Sequence, residues 1–481
     1  MSVIVENGNG CIIDHHKASI VTIETPHNVG RDDRHGHQYK LKSDLFEIVE
    51  PYRMDSQFVK LQSADKNEDG RKNKRKRKRR EPLNVGEKMA VDFHNEVKGY
   101  IETAYKSLLE LGQKMSYFMT QSNIDLRDNN VAARKAALLD GTLHSFIDMC
   151  EQSDHDRNQE CLAGCYTGAS SCSLNCVGTQ QAWNQECQQE EHDRLSNCVP
   201  TIQVSEVKDL SLFGTINVIW QNWDQSGRLV KCKGENYIIP ENCTFLMSDI
   251  SEFNKLGKAL GKFDLLVMDP PWTNKSVKRK KKYHTIDNDM LLGLPLCDLM
   301  NPGCVVVVWV TNKQNHIHFV TEELFPSKNI RFTARWYWLK VTKTGQCVYD
   351  LESPHKRPYE TLIIGKYHPV SMETQNATCD LDNARDSSQA SNLKIDAPEN
   401  DWASSKDNQD SRGCITDNKV IISVPCSLHS KKPPLTEVLR PYLPNDPKCM
   451  ELFARNLLPG WTSWGNEVLL HQHESFFEEV I

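Results

Sequence analysis

The C-terminal half of the chain alternates short apolar runs of strand length with segments that can form helices. Unbroken apolar runs suit strands that are buried on both faces, and their alternation with helices predicts a doubly wound α/β sheet. A polar stretch at 371–418 interrupts the pattern and is predicted to be a disordered insertion. The apolar runs span 262–268, 304–310, 333–341, 360–367, 419–424 and 448–453.

The N-terminal half shows other patterns. Residues 1–85 lack sustained periodicity and are predicted to be disordered. Residues 86–150 are predicted to form a helical domain, with an apolar stripe that serves as core or as a docking surface. A Cys/Gln/Ser-rich linker is predicted over 151–205 and a small β-rich region over 206–247. The stripe comprises Phe93, Val97, Ile101, Ala104, Leu108, Leu111 and Met115.

The linker contains two cysteine pairs, Cys161-x3-Cys165 and Cys172-x3-Cys176. Zinc modules usually space two ligating cysteines by two residues, because both thiolates then share one tight turn. The linker interpretation is therefore favoured, no metal is expected, and a zinc site remains the alternative.

The net charge conceals a dense basic segment. Among 481 residues, 58 basic and 64 acidic side chains give −6, yet residues 71–80 carry nine positive charges in ten positions. Such a block predicts an exposed arm that binds an importin and directs the chain to the nucleus; a merely solvated charge run is the alternative. No apolar run approaches the ~18–20 residues that span a membrane, and the N-terminus resembles no import signal, so no membrane association is expected.

The sequence Asp269-Pro270-Pro271-Trp272 directly follows the apolar run at 262–268. In open α/β sheets, ligands bind at the carboxyl ends of the strands. The two prolines predict a stiff loop whose carbonyls lack local donors. The Asp269 carboxylate and the Pro270 carbonyl can accept both N–H groups of a planar amine while Trp272 stacks on its ring or forms a wall beside it. This chemistry suits methylation of an exocyclic amine; a rigid turn without function is the alternative.

Polar residues at other strand ends suit a nucleoside cofactor that carries an amino-acid group, namely S-adenosylmethionine. An acid beside an apolar side chain can hold the adenine ring, amides and an acid suit the ribose hydroxyls, and two cations suit the carboxylate. No GxGxxG loop is present. The residues are Asp249, Ile250, Lys432, Arg455, Asn456, Asn466 and Glu467, together with Asp269.

The order of these motifs resembles a known family. The DPPW loop after SDI and GKFDLLVM, then HSKKPP, then ELFARN, PGW and WGNEV, is similar to the eukaryotic DPPW-type N6-adenine methyltransferases. DPPWTNKSVKR and ESPHKRPYETLIIGKY look like the methyltransferase-like protein four branch. The resemblance covers roughly 246–470 apart from the insertion. It implies a circularly permuted Rossmann-like S-adenosylmethionine methyltransferase domain over 248–475, in which the catalytic loop precedes the cofactor strand.

The resemblance also implies an activity. It implies that Asp269 to Trp272 form the catalytic loop and that the strand-end residues bind S-adenosylmethionine. Glu467 departs from the pattern, because the messenger-RNA enzyme has an amide at that position. The implied substrate is an internal 2′-O-methyladenosine in a small nuclear RNA of the U2 type. DNA adenine is the alternative substrate, and an inactive nucleic-acid-binding scaffold is the alternative of another class. No obligate protein partner is evident.

A second basic run lies within ten residues of this loop. A polynucleotide backbone must pass there, so the run is predicted to contact RNA, with an ordinary exposed loop as the alternative. Tyr283 and His284 follow the run as candidates for stacking on a base, with packing in the loop as the alternative. The run consists of Lys278, Arg279, Lys280, Lys281 and Lys282.

Overall fold

The computed structural model describes residues 2–23, 37–52, 84–120, 199, 201–210, 218–272, 286–353, 356–369 and 413–480. These residues form a 12-stranded sheet, a three-stranded sheet and a two-stranded hairpin. None of the helices within these ranges has the length and apolar character needed to cross a membrane. The α-helices are α1 (Val85–Lys114), α2 (Phe253–Leu260), α3 (Asn288–Gly293), α4 (Gln314–His318), α5 (Phe325–Ser327) and α6 (Thr436–Leu439).

The strands are numbered along the chain. The first nine are β1 (Val3–Asn7), β2 (Gly10–Ile13), β3 (Val21–Ile23), β4 (His37–Leu41), β5 (Thr201–Gln203), β6 (Ile219–Asn222), β7 (Arg228–Cys232), β8 (Glu235–Ile239) and β9 (Cys243–Leu246). The others are β10 (Phe263–Met268), β11 (Met300–Val310), β12 (Ile330–Lys340), β13 (Tyr359–Tyr367), β14 (Val420–Ser423), β15 (Cys449–Leu452), β16 (Trp461–Trp464) and β17 (Phe477–Val480).

The large sheet has the order β1-β2-β14-β12-β13-β11-β10-β15-β16-β9-β6-β5. Its centre is a parallel block, β11-β10-β15-β16-β9, in which every neighbouring pair runs in the same direction. Antiparallel pairs occur at β13, between β6 and β9, and between β1 and β2. The predicted α/β sheet is thus confirmed as a mixed, mostly parallel sheet.

Alternate residues of the central strands point into different cores. Leu266 and Val306 belong to the core on one face, whereas Leu265 and Val305 belong to the core on the other. All four side chains are buried. Burial on both faces explains why these strands read as unbroken apolar runs in the sequence.

Helix α1 packs on the first of these faces. Five stripe residues, from Phe93 to Leu108, are buried in the same core as the central strands. Met115 is 61% exposed, because the helix ends at Lys114. The helix therefore covers the main sheet and is not a separate helical domain, so that part of the predicted organisation is wrong; the second predicted helical segment lies outside the described residues.

The N-terminal segment contradicts the predicted disorder of residues 1–85 where it is described. Strands β1 and β2 form a hairpin around a two-residue Gly8-Asn9 turn, which is a hairpin signal between apolar runs. Strand β2 pairs in parallel with β14, a partner more than four hundred positions away, so no local pattern could disclose the pairing. Strands β3 and β4 form the small sheet with β17. The basic arm at 71–80 lies outside the described residues.

Two further predicted boundaries are corrected. The β-rich region 206–247 is not separate, because β6 and β9 belong to the large sheet and only β7–β8 forms an independent hairpin. Strand β5 also belongs to that sheet, so the end of the predicted linker is part of it. The cysteine pairs of the linker lie outside the described residues. The predicted insertion extends too far toward the C-terminus, since the Asp417 carboxylate, which lies within it, accepts a hydrogen bond from the Arg335 amide at 2.7 Å.

Candidate active site

The site lies where the connections of two adjacent parallel strands leave in opposite directions. The chain passes from β10 to its neighbour β11 on one side, and from β15 to its neighbour β16 on the other. Such a reversal opens a crevice at the carboxyl ends of the two strands, which is where open α/β sheets bind ligands. Asp269 follows β10 at this point, and its amide donates to the Leu452 carbonyl of β15 at 3.4 Å.

The backbone around the crevice contains unusual conformations. Phe453, directly after β15, has a φ of 62°, and Ser430 has a φ of 61°. A left-handed conformation is costly for a bulky side chain and persists only where the surroundings impose it. Gly465, after β16, is required by close approach, because a Cβ there would lie 2.4 Å from the Ala454 carbonyl oxygen. Tight backbone packing therefore holds the loops after β15 and β16 together.

A row of alternating charges includes Asp269. The Lys432 ammonium lies 3.3 Å from Asp269 Oδ2 and 2.9 Å from Glu360 Oε2. Lys340 contacts the other oxygen of Glu360. The Ser430 hydroxyl donates to Asp269 Oδ2 at 3.4 Å. Both side-chain donors to Asp269 thus use Oδ2, and within the described ranges no donor contacts Oδ1.

Each charged group in this row keeps its neighbours ionised. Burial by itself would raise the pKa of Glu360, but Lys340 and Lys432 hold that pKa well below its usual range. Burial would likewise lower the pKa of Lys432, but Asp269 and Glu360 raise it above its usual range. Glu360 and Lys432 therefore both remain charged at neutral pH, and the row holds the Asp269 side chain in place.

Trp272 forms a wall of the site instead of an open stacking platform. Its side chain is 7% exposed, and its indole N–H donates to the Trp309 carbonyl at 2.8 Å. Its ring stacks on His316 with centroids 4.7 Å apart. Burial, assisted by Lys313, lowers the pKa of His316 to about 4, so this ring is neutral at physiological pH.

The Pro270 carbonyl differs from its predicted state. It accepts a hydrogen bond from the Trp272 amide at 2.7 Å, so the prediction that it lacks a local donor is wrong. The turn from Asp269 to Trp272 is tight enough to bring the Trp272 amide back to the Pro270 carbonyl. A carbonyl oxygen has two lone pairs, so one acceptor position remains for a ligand.

A cavity of about 470 Å³ opens beside this loop. It is called the large cavity below. Its volume is within the range of small-molecule sites. Besides the Asp269 to Trp272 loop, its lining residues include Thr311, Asn312, Trp338, Lys340, Glu360, His429, Lys431, Lys432 and Arg455.

Several of these residues were missed by sequence reasoning. Asn312 is held by the Tyr359 carbonyl and by the Thr361 hydroxyl. The Thr311 hydroxyl is 2.7 Å from His316 Nδ1. Thr311 and Asn312 directly follow the apolar run that forms β11, so the rule that directs attention to strand ends could have found them. Glu360 is the first residue of the run 360–367, and a rule about the carboxyl ends of strands gives no signal there.

The predicted cofactor residues at β9 and β16 contact each other. The Asn466 amide donates to Asp249 Oδ2 at 2.9 Å, while Asp249 Oδ1 accepts from the Ser251 amide at 2.8 Å. Ile250 is 6% exposed and packs in the main core. These residues lie at the carboxyl ends of parallel strands and so at the same edge of the sheet as Asp269.

The predicted pair after β15 and β16 is also internally connected. Arg455 Nε donates to Glu467 Oε2 at 2.9 Å, so the guanidinium already has a carboxylate partner. Asn456 is 9% exposed. The structure thus brings Arg455, Asn456, Asn466 and Glu467 to one edge, and their binding roles stay predictions. The basic run 278–282 and Tyr283 lie outside the described residues.

Comparison with known proteins identifies the family of the chain. The MT-A70 family model matches residues 263–390 and 398–467. The N(6)-adenine-specific methyltransferase METTL4 of Mus musculus is 32% identical over 459 residues, which is 92% of this chain and 81% of that protein. A DNA N6-methyl methyltransferase of Caenorhabditis elegans is 28% identical over 92% of this chain and 93% of its own. The N6-methyladenosine RNA methyltransferase MTA1 of Cryphonectria parasitica is 28% identical over 50% of this chain and 62% of its own.

A mostly parallel sheet with a rigid, acid-bearing loop at its switch point is the arrangement of an α/β protein that binds a ligand in that crevice. The chain belongs to the MT-A70 family of methyltransferases. Within that family, the similarity to METTL4 extends far beyond the catalytic domain and supports a METTL4-like branch. The predicted family resemblance is therefore confirmed.

Proposed function

We propose that this chain is an S-adenosylmethionine-dependent N6-adenine methyltransferase that acts on RNA, on an internal 2′-O-methyladenosine of a small nuclear RNA of the U2 type. The observation that carries the enzymatic part is the intact Asp269 to Trp272 loop at the switch point, beside the large cavity. The domain is a circularly permuted Rossmann-like fold, with the catalytic loop on β10 preceding the cofactor strand β15.

The available lone pairs explain how the loop binds the adenine amine by hydrogen bonds. That nitrogen is a weak nucleophile because its lone pair is delocalised into the ring. Asp269 Oδ2 is already occupied by Lys432 and Ser430, so Oδ1 accepts one amine N–H and the second lone pair of the Pro270 carbonyl accepts the other. Two such acceptors favour a pyramidal nitrogen with a localised lone pair. Trp272 limits the position of the base, which supplies the orientation that the transfer requires.

The residues present fit the methyl donor. Its adenosine would lie against Asp249, Ile250, Asn466 and Glu467, and its amino-acid end would lie toward the lysines beside Asp269. The residues for the adenosine follow the adjacent parallel strands β9 and β16. Past the lysines a second cavity is lined by His15, whose buried ring nitrogens have no hydrogen-bond partner among the described residues. When bound, S-adenosylmethionine supplies an electrophilic methyl group on a sulfonium.

The choice of RNA is tested by comparing substrates. The named relatives divide between RNA and DNA, and the loop itself reads only the edge of the base. We expect tritium transfer to an RNA oligonucleotide with a 2′-O-methyl target adenosine to exceed transfer to unmodified RNA and to DNA of the same sequence by at least about tenfold, which is ~1.4 kcal/mol. Equal or faster transfer to DNA would instead support the DNA alternative.

The basic run Lys278–Lys282 is proposed as a contact for the RNA backbone. It follows the catalytic loop by six residues, where the strand carrying the target base must enter. Each phosphate contact makes binding more dependent on salt, because it releases counterions from the nucleic acid. In the substrate comparison, a variant with this run replaced by Ala should therefore bind RNA with a shallower salt dependence and bind the cofactor unchanged. Tyr283 is proposed to stack on a neighbouring base.

The arm at 71–80 is proposed to place the enzyme in the nucleus through an importin. Replacing residues 74–80 with Ala removes seven positive charges and should move a fluorescently tagged protein into the cytoplasm. A variant with alanines at an equal number of scattered exposed lysines serves as the control. An unchanged nuclear signal in the arm variant would contradict the importin role.

A further inference from the structure

A second cavity, called the small cavity below, lies behind the two lysines of the large cavity. It encloses about 50 Å³, which is room for roughly three to four water-sized groups. Lys431 and Lys432 line both cavities. The N-terminal segment closes the small cavity from the other side through His15 and Ser19, and Glu451, Asn456 and Gln472 add further polar groups to its lining.

His15 is a buried polar side chain without a partner. It is 3% exposed, and neither ring nitrogen has a hydrogen-bond partner within the described residues. Its ring edge packs on Phe46 with centroids 5.3 Å apart. Burial, together with the charges of Lys431 and His16, lowers the pKa of His15 to about 3, so the ring is neutral. Buried nitrogens of this kind normally bind a protein group, water or a ligand.

The two lysines differ in their ion-pair partners. Lys432 already contacts the carboxylates of Asp269 and Glu360. Lys431 makes no ion pair within 4.0 Å in the part of the chain that the structure describes. The acid in the lining of the small cavity is Glu451, whose pKa is raised to about 7 by burial and by the charge of Asp269. Glu451 is therefore only partly ionised at neutral pH, so it does not fully offset the burial of Lys431, which lowers the pKa of that ammonium group.

We propose that His15 and Lys431 bind the α-carboxylate of the methyl donor in the small cavity, which makes the N-terminal segment part of the cofactor site. A carboxylate would supply the missing anion for Lys431 and an acceptor for an imidazole N–H, and its three non-hydrogen atoms match the space available. Lys432, which the sequence assigns to this carboxylate, instead orients Asp269. This inference rests on the proposed function, because it presumes that S-adenosylmethionine is the donor.

The test compares two nucleosides that differ in the group concerned. S-adenosylhomocysteine carries the amino-acid end, and 5′-methylthioadenosine lacks it. We expect His15→Leu and Lys431→Met each to weaken binding of S-adenosylhomocysteine by about tenfold to a hundredfold, the range for hydrogen bonds to a charged group. Binding of 5′-methylthioadenosine should stay within about twofold of the unchanged chain. Isothermal titration calorimetry on the full chain measures both affinities without any turnover.

Lys17→Met is the matched control, since Lys17 belongs to the same N-terminal segment but its side chain is 60% exposed and lines neither cavity. Retained binding of 5′-methylthioadenosine shows that a variant is folded. Equal weakening of both nucleosides, or unchanged affinity for S-adenosylhomocysteine, would overturn the carboxylate site and leave the proposed function standing. If the unchanged chain bound neither nucleoside, the proposed function would be overturned, and this site with it.

Discussion

Replacing Asp269 by Asn is expected to lower the rate of methyl transfer to adenine by at least about a hundredfold, the scale for loss of one well-placed polar group in an active site. The substitution keeps the size of the side chain but replaces one accepting oxygen by an N–H donor. An amide at this position cannot both keep its contact with Lys432 and accept reliably from the adenine amine. Lys432 retains Glu360 as its partner, so the surrounding charges stay in place. Tritium transfer to an adenosine-containing oligonucleotide measures the rate.

The matched control is Asp289→Asn, the same change at an exposed acid in the first turn of α3. It should leave the rate unchanged within about twofold. Affinity for S-adenosylhomocysteine should fall much less than the rate in the Asp269 variant, because the loss is in the amine contact. Retention of the full rate in Asp269→Asn would favour the inactive-scaffold alternative, with labelling arising from a contaminating enzyme.

Replacing Trp272 by Ala is expected to lower the free energy of unfolding by about 3–5 kcal/mol, the usual range for removing a buried Trp. The change empties the space between His316 and Phe319, which the ring contacts on its face and edge. It also leaves the Trp309 carbonyl without its indole donor. Urea unfolding followed by far-UV circular dichroism measures the loss, since this signal does not depend on the indole that is removed.

Trp223→Ala provides the comparison, because Trp223 is 62% exposed and exposed substitutions usually change stability by less than about 0.5 kcal/mol. Trp272→Phe keeps an aromatic ring on His316 but loses the hydrogen bond, so its effect should lie between those of the two alanine variants. An equal loss of stability for Trp223→Ala and Trp272→Ala would show that Trp272 does not hold the loop in place.

The DPPW loop shows how far local chemistry can be predicted. Its place after a strand, its rigidity and the acceptors on Asp269 and Pro270 follow from the residues themselves, because proline geometry and strand patterns act over a few positions. The hydrogen bond from the Trp272 amide to the Pro270 carbonyl could not be predicted in this way. It depends on how tightly the turn folds when Trp272 packs on His316, a residue from a separate element.

The charge row and the N-terminal strands show what depended on the whole fold. Lys340, Glu360 and Lys432 come from the end of β12, from β13 and from the loop after β14, and only the sheet order makes them neighbours of Asp269. Strand β2 likewise has an ordinary hairpin pattern, but its pairing with β14 assigns the N-terminus to the main sheet. Such contacts between distant segments leave no periodic pattern in either one.

By itself, the sequence determined the alternation of buried strands and helices, the rigid acid-bearing loop and the family, since each is recorded in residue types at short spacing. Only the tertiary structure decided that Lys432 is shared between Asp269 and Glu360, that the side-chain donors to Asp269 use Oδ2, and that His15 and Lys431 line the same cavity. The physical reason is that charge pairing and burial depend on distances in space, and these are set by the register of the whole sheet.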